Sequence, residues 1–184
     1  SINFAKRCCS DDANLCEVIE INSGETSFKP INDILKTNRF DTMYRKQLER
    51  MSASGTVGCY IRLDDADVMA DGTLKGGKIA INYCDAESII PLTVINEEVI
   101  ECAFVGTNLI DGKNMSVLVV FTLDESNKYI ADTYYFDEER ELFDLRTSVQ
   151  LEDVKPFAIM RTAEVNNIDD MEGYGYPKLY SSVP

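Results

Sequence analysis

The spacing of apolar and polar positions changes character once along this chain. Through residue 55 the apolar positions recur every three or four residues. Beyond it they recur every two. Ile2, Ala5, Cys9, Ala13, Cys16 and Ile19 predict a helix over 2–20. "NSGE" (22–25) interrupts it. A short helix is predicted over "INDILKTN" (31–38). A second follows, with Phe40, Met43, Tyr44, Leu48 and Met51 on one stripe and Arg45, Lys46, Glu49 and Arg50 on the other side, ended by "SASG" (52–55). From Val57 the period is two: Val57, Cys59, Ile61 and Leu63 alternate with Gly58, Tyr60 and Arg62. A turn-rich stretch, "DDADVMADGTLKGG" (64–77), precedes further predicted strands at 78–83, 89–94, 99–105, 115–123 and 129–136. "INEE" (95–98), "NLIDGKN" (108–114) and "DESNK" (124–128) have the composition of hairpin connections. In "MSVLVVFTL" (115–123), Leu118 and Val120 on the second face predict a strand covered on both sides. The charged run "DEERELFDLR" (137–146) is read as a break in the strand pattern, and "PFAIMRT" (156–162) as the last strand. The fold class expected is α+β: N-terminal helices, then a mostly antiparallel sheet in meander order.

Composition narrows the function classes. The chain has 184 residues and 45% apolar side chains, enough for one domain with a packed core. Its formal net charge is −14. Such a surface repels a phosphate backbone, so specific nucleic-acid binding is not expected, while an acidic wall that nucleic acid slides past is compatible with it. No apolar run approaches the roughly 20 residues that cross a bilayer, and the start has no signal-peptide pattern. The six cysteines, Cys8, Cys9, Cys16, Cys59, Cys84 and Cys102, form no C-x-x-C pair, and the chain lacks histidine. Zinc-finger spacing is therefore absent. The cysteines read as reduced core thiols of a cytoplasmic protein rather than a disulfide framework.

Three stretches invite a chemical reading. "DDADVMADG" (64–72) suggests a calcium loop, but counting from Asp65 puts Met69 at the fifth position and Ala70 at the sixth, where an oxygen ligand and a glycine belong. "GTLKGGK" (72–78) gives the spacing G-x-x-x-x-G-K, yet Ile79 stands where a phosphate loop has Ser or Thr, and a strand follows instead of a helix. Both read better as parts of a hairpin. Without histidine, Ser-His and Cys-His nucleophilic pairs are impossible. A carboxylate pair is allowed by residue type, but with 32 acidic residues some close pairs are inevitable on the surface.

The third stretch, "EVNNIDDMEGYGYP" (164–177), gathers Glu164, Asp169, Asp170 and Glu172 beside Gly173 and Gly175. Asn166 and Asn167 tolerate left-handed backbone, the two glycines permit sharp bends, and Pro177 suits the first turn of a helix. It reads as a joint from strand through loop to a new helix. That helix is cut off at Pro184, and the chain opens on Ser1 without an initiator Met, so a fragment of a longer protein is expected.

The order of these segments resembles the portal proteins of tailed double-stranded DNA phages, in the branch common among phages and prophages of Gram-positive bacteria. The resemblance is carried by "INFAKRCCSDDANL" (2–15), "QLERMSASGTVGCYIRL" (47–63), "GGKIAINYCDAESIIPLTVINEEVIECAFVG" (76–106) and "PFAIMRTAEVNNIDDMEGYGYPKLYSS" (156–182), and by their order and spacing together, not by any one motif. Two features depart from it: the length of 64–74 and the number of cysteines. The resemblance implies the wing region of a larger subunit, divided into a helical segment (1–55), an antiparallel sheet region (56–163), and a joint with the start of a truncated helix (164–184). It implies a non-enzymatic ring, usually a dodecamer of the full-length protein, at the portal vertex of the virion capsid, assembled in the host cytoplasm. Double-stranded DNA would pass through it without sequence-specific binding. Terminase, head-completion or adaptor proteins and the capsid protein would be its partners, with no membrane, cofactor, metal or catalytic residue. The fragment alone is expected not to close a ring. Two other readings stand beside this one. One is a small ligand- or partner-binding α+β domain with a pocket between sheet and helices. The other is a metal-dependent hydrolase using Asp169, Asp170 and Glu172.

Overall fold

The structure is a computed structural model and describes residues 29–68, 74–110, 112–137, 141–151, 153–162 and 173–175. Among these, two helices come first, α1 (Lys29–Thr37) and α2 (Phe40–Ser54). Eight strands follow: β1 (Thr56–Val68), β2 (Leu74–Asp85), β3 (Ile89–Ile95), β4 (Glu98–Ile110), β5 (Lys113–Leu123), β6 (Tyr129–Asp137), β7 (Leu142–Gln150) and β8 (Phe157–Arg161). Their pairings are antiparallel throughout. The fold is α+β, with the helices before the sheets as the periodicity predicted.

The strands divide into two sheets. β3-β4-β5-β6-β7 is a five-stranded meander, and β2-β1-β8 is a three-stranded sheet in which the last strand returns to pair with the first. Tight turns set the registers. Asn96 and Glu97, at φ 51° and 67°, link β3 to β4 with the left-handed backbone of a two-residue hairpin. β4 and β5 pair as far as Ile110 and Lys113, leaving a two-residue link that contains Gly112 at φ 78°. Gly55, at φ 80°, ends α2 by donating its N–H to the Met51 carbonyl at 2.7 Å.

The core lies between the two sheets. Tyr60 from β1 and Phe157 from β8 meet Cys102 and Phe104 of β4, Val117, Val119 and Phe121 of β5, and Tyr129 of β6. The rings interlock: Tyr60–Phe104 centroids are 4.8 Å apart, Phe121–Phe157 5.6 Å and Phe104–Phe157 5.8 Å. Gly58 lets β1 approach this cluster, since a Cβ there would lie 3.0 Å from Ile89 Cδ1 and 3.3 Å from Phe104 Cε1.

The structure corrects the sequence reading in three places. The charged run 137–146 is not a break, because β7 begins inside it at Leu142. Its alternation is hidden because β7, which pairs with β6 alone among the described strands, is exposed at most positions, so burial does not select apolar side chains there. The turn-rich stretch 64–77 is largely strand: β1 runs to Val68 and β2 starts at Leu74. Finally, α2 buries Gln47 together with Leu48 and Ser52. Gln47 lies three residues after Tyr44 and four before Met51, on the predicted stripe, but its polarity concealed it. The second face of β5 is half-buried at Leu118 and Val120. The 2–20 helix, the side chains of the candidate calcium loop from Asp65 onward and the helix starting at Pro177 lie outside the described residues.

Candidate functional site

Two features stand out, a junction and a cleft. The junction is built where the chain returns after β8. Thr162, at the end of β8, donates its N–H to the Gly55 carbonyl at 3.0 Å. Gly175 donates its N–H to Thr56 Oγ1 at 2.7 Å, a buried bond across 119 residues of sequence. Tyr174 donates its hydroxyl to the Ile89 carbonyl at the head of β3. Gly173 packs against Pro91 and Val99 with φ 92°. Three consecutive residues thus tie the end of α2, the start of β1, the end of β8 and the β3–β4 hairpin together.

The two glycines serve different purposes. Gly173 needs the left-handed backbone. Gly175 needs space, since a Cβ would fall 2.8 Å from both Thr162 N and Thr162 Oγ1 and closer still to the Gly55 carbonyl oxygen. Sequence reasoning read both as bends. It found the joint at 164–177 but not its sockets, because Gly55, Thr56 and Thr162 carry no local mark of the contacts they make with distant parts of the chain. Asp169, Asp170 and Glu172 lie outside the described residues.

The cleft lies between β1 and strands β4 to β7. It encloses about 290 Å³. Val119, Phe121, Ala131 and Val149 form its apolar wall, while Arg62, Asp64 and Asn108 stand among its polar lining. Arg62 Nη2 donates to Asp64 Oδ2 at 3.1 Å, and Nη1 donates to Asn108 Oδ1 at 3.5 Å. Arg62 Nε sits 2.7 Å from Asp64 Oδ1, close enough for ion pairing but off the hydrogen-bond line. With both side chains more than one-third exposed, this ion pair contributes at most about 1 kcal/mol. It does leave the guanidinium neutralised at the cleft.

Burial raises the pKa of each described thiol. Cys59, Cys84 and Cys102 are free. Burial pushes Cys84 and Cys102 up to about 12 and raises Cys59 as well. A thiol so shifted supplies almost no thiolate at neutral pH. Among the described residues, no group of three Cys, Asp or Glu side chains is arranged to hold a metal ion, and no helix is long and apolar enough to cross a membrane.

Two of the described carboxylates have clear structural duties. Glu101 Oε1 accepts the Leu123 N–H at 2.8 Å, and Oε2 accepts the Thr93 hydroxyl, bracing β3 to β5 across β4. Asp124 accepts the backbone N–H groups of Ser126 and Lys128 at 2.8 and 2.9 Å and Gln150 Nε2 at 2.8 Å, which shapes the β5–β6 turn. A scan against protein-family models gives no match to the chain, and neither does a search of curated proteins.

Proposed function

We propose that this chain is a structural piece of a phage portal subunit, its wing region, and acts as packed scaffold without chemistry of its own. In this reading the full-length protein forms a ring at the capsid's portal vertex, usually of twelve copies. Terminase, head-completion proteins and the capsid protein dock on it, and double-stranded DNA passes through. The observation that carries the reading is the junction at 173–175. A subunit that holds DNA pressure and docks a motor must keep its sheet region and the segment that follows rigidly registered. Gly175 is anchored on Thr56 and Tyr174 on Ile89, beside the Thr162–Gly55 bond that joins the ends of β8 and α2. The family resemblance supports it, since its quoted stretches include the α2-to-β1 passage and the β8-to-junction passage that form the two halves of this lock. The charge of −14 also suits a surface that DNA slides past.

The test is the mass and shape of the full-length gene product, by native mass spectrometry with negative-stain images. Closed rings of about a dozen subunits around a central hole are expected, as for other cyclic assemblies. A monomer or dimer that never closes at any concentration would sink the reading.

The cleft favours a second reading, a small ligand-binding α+β domain, although its described lining comes from strands of the two sheets and not, as expected, from sheet and helices. Its volume is at the lower end of small-molecule sites, and its lining combines an apolar wall with a few polar groups. Saturable one-site binding of anilinonaphthalene sulfonate, abolished by Ala131→Leu without loss of fold, would support it. Binding that is unsaturable or indifferent to Ala131→Leu would remove it.

A further inference from the structure

The cleft is graded along its length. β5 and β6 pair Phe121 with Ala131, then Val119 with Thr133, then Val117 with Tyr135. β6 and β7 pair Ala131 with Val149 and then Thr133 with Thr147. Directly paired residues share a face, and all of these line the cleft. Its wall therefore steps from an apolar row at Phe121, Ala131 and Val149, through the hydroxyls of Thr133 and Thr147, to the hydroxyl-bearing Tyr135. β1 runs the same way on the other side. Tyr60 stands at the apolar row, its ring centroid 5.8 Å from that of Phe121. Arg62, two residues on and so on the same face of β1, reaches Asn108. Asn108 lies two residues beyond Gly106, the β4 partner of Val117, and so at the far end of the gradient.

The charged side chains described in the lining, Arg62 and Asp64, cancel: they form the ion pair at 2.7 Å. A carboxylate entering this end would meet Asp64, and an ammonium group would meet Arg62. Each sign of charge is therefore opposed by a fixed like charge. Hydrogen-bond donors remain plentiful. A guanidinium has five N–H groups, and the bonds from Arg62 to Asp64 and Asn108 take two of them. The Asn108 amide and the hydroxyls of Thr133, Thr147 and Tyr135 can donate as well.

We propose, building on the ligand-binding reading of the cleft, that its ligand is a small neutral molecule with an apolar ring end and a carbonyl tip. The rings lie against Phe121, Ala131 and Val149, and the carbonyl accepts from the donors at the Arg62–Asn108 end. Asp64 sets the specificity, because by neutralising Arg62 it turns an anion site into a site for a neutral acceptor. At the packing density of protein interiors, ligand would fill roughly three quarters of the 290 Å³, which is room for two fused rings and a short tip.

Equilibrium dialysis of the 184-residue chain near neutral pH against three probes with one ring system tests this: 2-acetylnaphthalene, 2-ethylnaphthalene and 2-naphthoate. The ketone is expected to bind at one saturable site, about tenfold more tightly than the hydrocarbon, the worth of one hydrogen bond, and more tightly than the carboxylate. Asp64→Asn leaves the guanidinium without its counter-charge, so naphthoate should gain about tenfold and overtake the ketone. Arg62→Met should erase the ketone's advantage over the hydrocarbon. Both side chains are more than one-third exposed, so both variants are expected to fold, which circular dichroism checks. A ketone no tighter than the hydrocarbon, a wild-type chain that takes naphthoate as tightly as the ketone, or an Asp64→Asn variant with the order unchanged would each overturn this proposal. The cleft reading survives those outcomes if anilinonaphthalene sulfonate still binds saturably and Ala131→Leu still abolishes it. Failure of all the probes, the sulfonate included, would remove both.

Discussion

Replacing Gly175 by alanine is the sharpest probe of the junction. The new Cβ falls 2.8 Å from Thr162 N and Oγ1 and is also crowded by the Gly55 carbonyl oxygen. The two backbone neighbours sit at the end of a strand and the cap of a helix, so they cannot swing aside like a flexible side chain. Overpacking of this kind costs about 1–3 kcal/mol. The shift also strains the Gly175–Thr56 and Thr162–Gly55 hydrogen bonds, at 2.7 and 3.0 Å, each contributing about 1 kcal/mol net. The expected loss is about 3–5 kcal/mol by these terms together, or roughly 10 °C in Tm for a chain of this size. Urea unfolding followed by far-UV circular dichroism measures it; the chain has no tryptophan to report by fluorescence. Gly106→Ala is the internal control, because a Cβ there meets nothing within 4 Å. Thr56→Val leaves the buried Gly175 N–H without its acceptor and should cost about 1–3 kcal/mol. If Gly175→Ala unfolds within about 0.5 kcal/mol of wild type, the range of an ordinary surface substitution, the chain does not thread between Gly55 and Thr162 and the junction is misread.

Other outcomes follow from the same geometry. Gln47 is 0% exposed and neither of its amide atoms has a hydrogen-bond partner among the described residues, so Gln47→Met should raise stability by about 1–3 kcal/mol, the cost of a buried unsatisfied polar group; a destabilised variant in the same urea assay would contradict this. Phe104→Ala, which removes a fully buried ring touching Tyr60, Phe121 and Phe157, should cost about 3–5 kcal/mol, and a loss under about 1 kcal/mol would mean the sheets do not meet there. The Asp124 carboxylate is held below its ordinary value of 3.8, chiefly by the Lys128 N–H and then by Ser126 and Gln150. A depressed carboxylate contributes stability above its unfolded value and loses it as pH falls through the folded value. Unfolding midpoints compared at about pH 7 and below pH 3.8 should therefore fall more for wild type than for Asp124→Asn; equal falls would show that the turn does not hold the charged form. The raised thiols at Cys84 and Cys102 should react with a thiol reagent near neutral pH far more slowly in the folded chain than in urea, and equal rates would place them at the surface.

How legible the molecule was depends on how local each feature is. The change of period after residue 55 located both described helices and seven of the strands, because 3.6- and 2-residue spacings follow from backbone geometry and survive any tertiary context. Turns were equally readable: Asn96 after β3 and Gly112 after β4 have the left-handed preferences those tight links demand. β7 was not readable, since a strand exposed at most positions imposes no alternation and its charges resemble a loop. The joint at 164–177 was visible as a joint because glycine and asparagine mark unusual backbone in their own neighbourhood.

What the joint touches was decided only in three dimensions. So were the division into two sheets, the return of β8 to β1, the burial of Gln47 and the hydrogen bonding of Asn38 to β2. Each depends on residues far apart in the chain, up to the 119 positions that separate Gly175 from Thr56. A single sequence records the propensity of each partner but not their meeting. The chain alone therefore determined most of its elements and their order, while packing decided how the strands divide between two sheets and which distant residues meet.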